Sequence, residues 1–71
     1  MDFKDAKSKL QEVLQAEGSE LPEYSVIANK EGNKFYCTVI FNGETFQASA
    51  ALKKESEQKV SELILNRVHE L

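Results

Sequence analysis

Leu52-Lys53-Lys54-Glu55-Ser56-Glu57-Gln58-Lys59-Val60-Ser61-Glu62-Leu63-Ile64-Leu65-Asn66-Arg67-Val68-His69-Glu70-Leu71 is the stretch on which the reading of the chain turns. Its spacing predicts a helix of about five turns. The predicted inner stripe is Ser56, Val60, Leu63, Ile64, the stem of Arg67 and Leu71. Nothing in it breaks a helix, and Glu, Lys, Gln and Leu are good helix formers. Its start is unusual. Lys53 and Lys54 occupy the first turn, where the helix dipole is already positive and acids would be the comfortable choice. Unpaired backbone N–H groups add to that positive end, so the turn suits an anion. The plainer reading is two ordinary solvated charges.

Working outward, composition bounds the possibilities. The 71 residues make one small predicted domain over 1–71, with 41% apolar and 30% charged residues, as in a globular chain. No apolar run approaches the ~20 residues that span a bilayer, and no leader segment is recognisable, so no membrane partner is expected. A single cysteine, Cys37, excludes an internal disulfide framework and points to a reducing, intracellular compartment, cytoplasm or nucleus. The net charge of −3 argues against indiscriminate nucleic-acid binding, although local charge matters more than the sum.

Residues 4–17 form the first predicted helix. Ala6, Leu10, Val13, Leu14 and Glu17 recur on one face, with Asp2 or Asp5 to cap the start and Gly18 to stop it. Ser8, Gln11, Glu12 and Gln15, at spacings of three, four and seven, share a polar stripe elsewhere on the helix, beside Lys4 and Lys7. Such a stripe is most simply a solvated surface. Pro22 forbids further helix. Three strands follow. Glu23–Lys30 and Lys34–Phe41 alternate, joined by Glu31-Gly32-Asn33, and Asn42-Gly43 is a strong hairpin signal before a third strand, Glu44–Ala48. The fold class is therefore α+β, in the order α-β-β-β-α: a three-stranded antiparallel sheet with both helices on its better apolar face. Leu10, Val13, Leu14, Tyr24, Phe35, Val39, Phe41, Phe46, Val60 and Ile64 form the predicted core, and Cys37 faces the helices.

In that order the residues carry a resemblance. Asp5-Ala6-Lys7-Ser8-Lys9-Leu10-Gln11-Glu12-Val13-Leu14-Gln15 resembles the first helix of the double-stranded RNA-binding domain, especially the version that ends ribonuclease III enzymes. Leu21-Pro22-Glu23-Tyr24 is similar to the family's Pro-x-Tyr entry to the first strand. Lys53-Lys54-Glu55-Ser56-Glu57-Gln58 resembles its Lys-Lys-x-Ala-Glu-Gln start of the second helix. The resemblance covers nearly the whole chain. It implies a binding module, non-enzymatic by itself, of the kind carried by ribonuclease III or Dicer-like enzymes. Its partner would be duplex RNA, read by A-form shape across two minor grooves and the phosphates between them, over ~16 base pairs. Carried onto this chain, Lys7, Ser8, Gln11, Glu12 and Gln15 would face ribose hydroxyls and base edges, and Lys53 and Lys54 would bridge to phosphates.

The departures bear on strength. The family's first hairpin loop usually carries Gly-Pro-x-His into a second minor groove. Here that loop is shorter and has no proline or histidine, so this contact is either lost or reduced to Asn33 and Lys34. Gln47-Ala48-Ser49-Ala50-Ala51 replaces a glycine-rich approach to the second helix, Glu57 stands where a third lysine is common, and Lys59 and Ser61 replace small alanines. Weak binding is the expectation. The alternative is a degenerate family member serving protein interaction or self-association through the outer sheet face, where Ile27, Tyr36 and Ile40 would form an apolar patch. Scattered exposed apolar residues are also normal on a small sheet. No catalytic residue, metal ligand set or cofactor is assigned. His69 has no nucleophile at a recognisable spacing and fits a favourable charge near a helix end, and no glycine-rich phosphate loop is present.

Overall fold

The computed structural model describes residues 5–69, with side-chain surroundings given through Val68. Lys4, Asp2 and Leu71, named above, lie outside the described residues, as does the side chain of His69. The element order is α1 (Ala6–Ala16), β1 (Ser25–Ala28), β2 (Phe35–Phe41), β3 (Glu44–Ala50) and α2 (Lys53–His69). The sheet is antiparallel, in the order β1-β2-β3, and α2 packs against all three strands and against α1. This is the predicted α-β-β-β-α architecture.

Local chemistry sets the ends of each element. Asp5 caps α1, its carboxylate accepting from the Ser8 N–H at 2.9 Å. That bond, aided by the Ser8 hydroxyl, holds the Asp5 carboxyl below its ordinary pKa. At the other end Gly18 takes a left-handed φ of 72°. The Ser19 N–H donates to the Leu14 carbonyl at 2.8 Å and the Gly18 N–H to that of Gln15 at 3.1 Å, a Schellman closure that a side-chain-bearing residue would strain. Asn42 and Gly43, at φ 52° and 76°, make the tight β2–β3 hairpin.

Leu10, Leu14, Cys37, Val39, Phe46, Val60, Ile64 and Leu65 form the buried cluster, with Ala6, Val13, Tyr24, Val26, Phe41, Ala48 and Val68 packed at its margin. Among the described residues no buried side-chain polar atom lacks a hydrogen-bond partner. Several expectations need correction. Phe35 is only half-buried and stands outside this cluster. It is the first residue of β2, and its cross-strand neighbours are Ala28 and Ala50, too short to cover a ring. The inner face of α2 is also rotated from the predicted one. Leu63 and Arg67 are exposed, whereas Ser61 and Leu65 are buried and Val68 half-buried. Ile64 is buried as predicted, and the fit against the sheet turns Leu65 rather than Leu63 inward beside it. Arg67 instead pairs with Glu44 at 3.1 Å across the surface. Finally, β1 is shorter than Glu23–Lys30, and β3 runs on to Ala50, which is buried.

Cys37 faces the helices, fully buried, and desolvation pushes its thiol above the ordinary pKa, with the Glu57 charge adding to the effect. A thiol reagent is therefore expected to label folded protein far more slowly than unfolded protein at neutral pH. Equal rates would mean that Cys37 is not enclosed.

Candidate nucleic-acid interface

Hydrogen bonds join the start of α1 to the first turns of α2. Lys7, Ser8, Lys53 and Lys54 sit there, while Gln11, Glu12 and Gln15 run on along α1 and Asn33 and Lys34 lie in the β1–β2 turn. Lys53 and Lys54 are exposed in the first turn of α2. The first hydrogen bond of that helix runs from the Ser56 N–H to the Leu52 carbonyl at 3.1 Å. The Ser56 hydroxyl, buried, turns back to the Lys53 carbonyl at 2.6 Å. The Lys54 charge reaches Asp5, where it helps to keep the carboxyl ionised. On α1, Ser8, Glu12 and Gln15 are exposed and Gln11 half-buried, so the stripe read from the sequence is on the surface of the helix.

Lys7 takes a different place from the rest of that set. Its ammonium group donates to Glu57 Oε1 at 2.7 Å and sits 4.7 Å from the centroid of the Tyr24 ring. The Glu57 hydrogen bond is the main reason the Lys7 pKa is raised. The Lys7 backbone N–H donates to Gln58 Oε1 at 3.2 Å, so α2 supplies part of the cap of α1. Tyr24 continues the junction, its hydroxyl 2.8 Å from that of the buried Ser61. Sequence reasoning missed Glu57, Gln58, Tyr24 and Ser61 as a connected group. A serine on an otherwise apolar helix face was the available hint.

The β1–β2 turn is a separate unit. Asn29 organises it: its carboxamide oxygen accepts from the N–H groups of Asn33 at 3.0 Å and Lys34 at 3.1 Å. Its amide donates to Asn33 Oδ1 at 2.8 Å. The carboxamide oxygen of Asn33 is thus engaged inside the turn, and the Lys34 ammonium lies 5.7 Å from the Tyr36 ring centroid. The hydrogen bonds of this turn run within it rather than to α1 or α2. An Asn just ahead of Glu31-Gly32-Asn33 was a legible signal for such a turn.

On the outer sheet face Ile27 pairs directly with Tyr36, and both are exposed together with Ile40. Among the described residues no group of three or more His, Cys, Asp or Glu side chains is placed to hold a metal ion, and no helix is long and apolar enough to cross a membrane.

Comparison with known proteins agrees with this architecture. Residues 6–68 match the family model described as the double-stranded RNA binding motif. The chain is 37% identical over 76 aligned positions to Ribonuclease 3 of Psychrobacter arcticus, covering 97% of this chain and 28% of that protein. It is 36% identical over 72 positions to Ribonuclease 3 of Desulfotalea psychrophila, covering 94% of this chain and 30% of that one. The chain thus spans less than a third of the length of these relatives. The matching stretch is a binding motif, it runs from the first helix to the end of the second, and the α-β-β-β-α order fits it. The chain belongs to the double-stranded RNA-binding motif family.

Proposed function

We propose that this domain holds duplex RNA at two places. The Ser8, Gln11, Glu12 and Gln15 stripe of α1 lies along a minor groove, and Lys53 and Lys54 reach phosphates across the adjacent major groove. The observation that carries this reading is the docking of the α1 start against the α2 start, with the stripe and both lysines on the surface. Side-chain amides and hydroxyls both donate to and accept from a ribose 2′-hydroxyl, which separates RNA from DNA. Lysines at a helix start meet phosphate with the dipole behind them. Asn33 and Lys34 make at most a reduced third contact, because the short turn is internally bonded. Binding is correspondingly weak, in the ~10⁻⁴–10⁻⁶ M range typical of contacts dominated by phosphate. The setting is intracellular, and the domain serves as the RNA-holding part of a larger ribonuclease III-like enzyme.

The test is a titration with duplex RNA, duplex DNA and single-stranded RNA at two salt concentrations. Duplex RNA binding that weakens with salt, with DNA competing poorly, supports the reading. Gln11→Ala with Gln15→Ala is expected to weaken RNA binding while leaving thermal stability within ~0.5 kcal/mol, because neither side chain belongs to the buried cluster. Equal affinity of the double variant would remove the stripe from the interface. The exposed Ile27–Tyr36 pair with Ile40 favours a second reading, protein interaction or self-association. That reading wins if duplex RNA does not bind at low salt and Tyr36→Ala or Ile40→Ala breaks up an oligomer.

A further inference from the structure

We propose that Glu57 and Gln58 are positioning residues that set the distance between the α1 stripe and the α2 lysines, and that Lys7 is their counterpart rather than a contact to RNA. This rests on the two-place reading above. Glu57 and Gln58 stand one helical turn beyond Lys53 and Lys54, at spacings of four, on the same sides of α2. Both turn to the same residue of α1. Glu57 holds the Lys7 ammonium at 2.7 Å, and Gln58 holds the Lys7 backbone N–H at 3.2 Å. Lys7 immediately precedes Ser8, where the stripe begins. The junction is half-buried, with the side chains of Lys7 and Glu57 33% and 15% exposed. A charge-assisted bond there is screened less than one in open water. Tyr24, held by Ser61, floors the Lys7 ammonium and ties the junction to the start of the sheet.

One six-residue segment, Lys53–Gln58, therefore has two duties. Its lysines face solvent at the helix start, and its last two residues dock α1. Rigid shape recognition needs both groove contacts at once, and a misplaced second contact is lost even when its side chains are intact. The position of Glu57 also accounts for an acid so near an RNA surface: its charge is matched by Lys7, and the pair is neutral as a unit.

The sign of one variant separates positioning from plain electrostatics. Glu57→Gln removes a negative charge beside the proposed interface, so long-range attraction alone would tighten RNA binding. Positioning predicts the opposite: duplex RNA binds roughly three- to tenfold more weakly. The salt slope also flattens toward that of a variant lacking the lysines, although Lys53 and Lys54 are present. The exchanged pair, K7E with E57K, keeps the net charge and should recover most of the affinity. Gln58→Ala should speed hydrogen exchange at the Lys7 amide and weaken binding in the same direction, and it keeps the test open if E57Q melts below the assay temperature. Wild-type binding with unchanged or tighter binding by E57Q and Q58A overturns the proposal, as does failure of the exchanged pair to recover. Absence of wild-type binding to duplex RNA at low salt instead overturns the reading on which it rests.

Discussion

Replacing Leu10 by alanine is expected to destabilise the domain by about 2–5 kcal/mol, the range for large-to-small changes at fully buried leucines. Leu10 is completely enclosed and belongs to the cluster that joins α1 to α2 and the sheet. The substitution loses transfer free energy and leaves a void that a core this small fills poorly. A single core in a chain of this length supplies only ~3–5 kcal/mol, so the variant should be largely unfolded at moderate temperature. Circular dichroism melts check this directly. Phe35→Ala, at a half-buried position outside the cluster, should cost clearly less. A Leu10→Ala protein that melts like the wild type would remove α1 from the core. Equal losses at the two sites would mean that the end of β2 is better covered than the register with Ala28 and Ala50 implies.

Removing both lysines has the largest expected effect on function. Lys53→Ala with Lys54→Ala should reduce duplex RNA affinity by roughly tenfold per lysine, if each contributes the ~1.5 kcal/mol of a charge-assisted hydrogen bond. The dependence of binding on salt should flatten by up to about two phosphate equivalents, since each lost contact releases one fewer counterion. Stability should hardly change, because both side chains are exposed in the first turn and two cations are being removed from the positive end of a helix dipole. An unaltered salt slope would show that other cations carry the phosphate contacts. Lys34 is the next candidate, although it stands over Tyr36. Lys7 is a weaker one, because its ammonium is held by Glu57.

The separation of these effects follows from how the two helices divide their faces. Leu10 and Leu14 turn to the core, while Ser8, Glu12 and Gln15 remain on the surface of the same helix. A helix repeats every 3.6 residues, so stripes offset by about half a turn are chemically independent. The stripe can therefore be emptied without loosening the packing, whereas the stripe itself depends on the packing that keeps so short a helix folded.

The sequence by itself determined whatever depends on short-range rules. An aspartate as the α1 cap, which the structure resolves to Asp5 rather than Asp2, Gly18 as its stop and Asn42-Gly43 as a hairpin rest on backbone geometry that few residue types satisfy. Alternation in β2 placed Cys37 and Val39 inward and Tyr36 and Ile40 outward, because the period of a strand is two. The exposed lysines of α2 followed from position alone. Tertiary structure decided the rest. Ile64 was legible as core, but Leu63 and Leu65 flank it and are equally apolar, so only the packing of α2 on the sheet buries Leu65 and leaves Leu63 exposed. Phe35 is as hydrophobic as Phe46, yet its place at a strand end between two alanines leaves it half-covered. Lys7 is one lysine among several in the sequence. It is bound by Glu57 and Gln58, fifty and fifty-one positions away, through a proximity that no local pattern encodes.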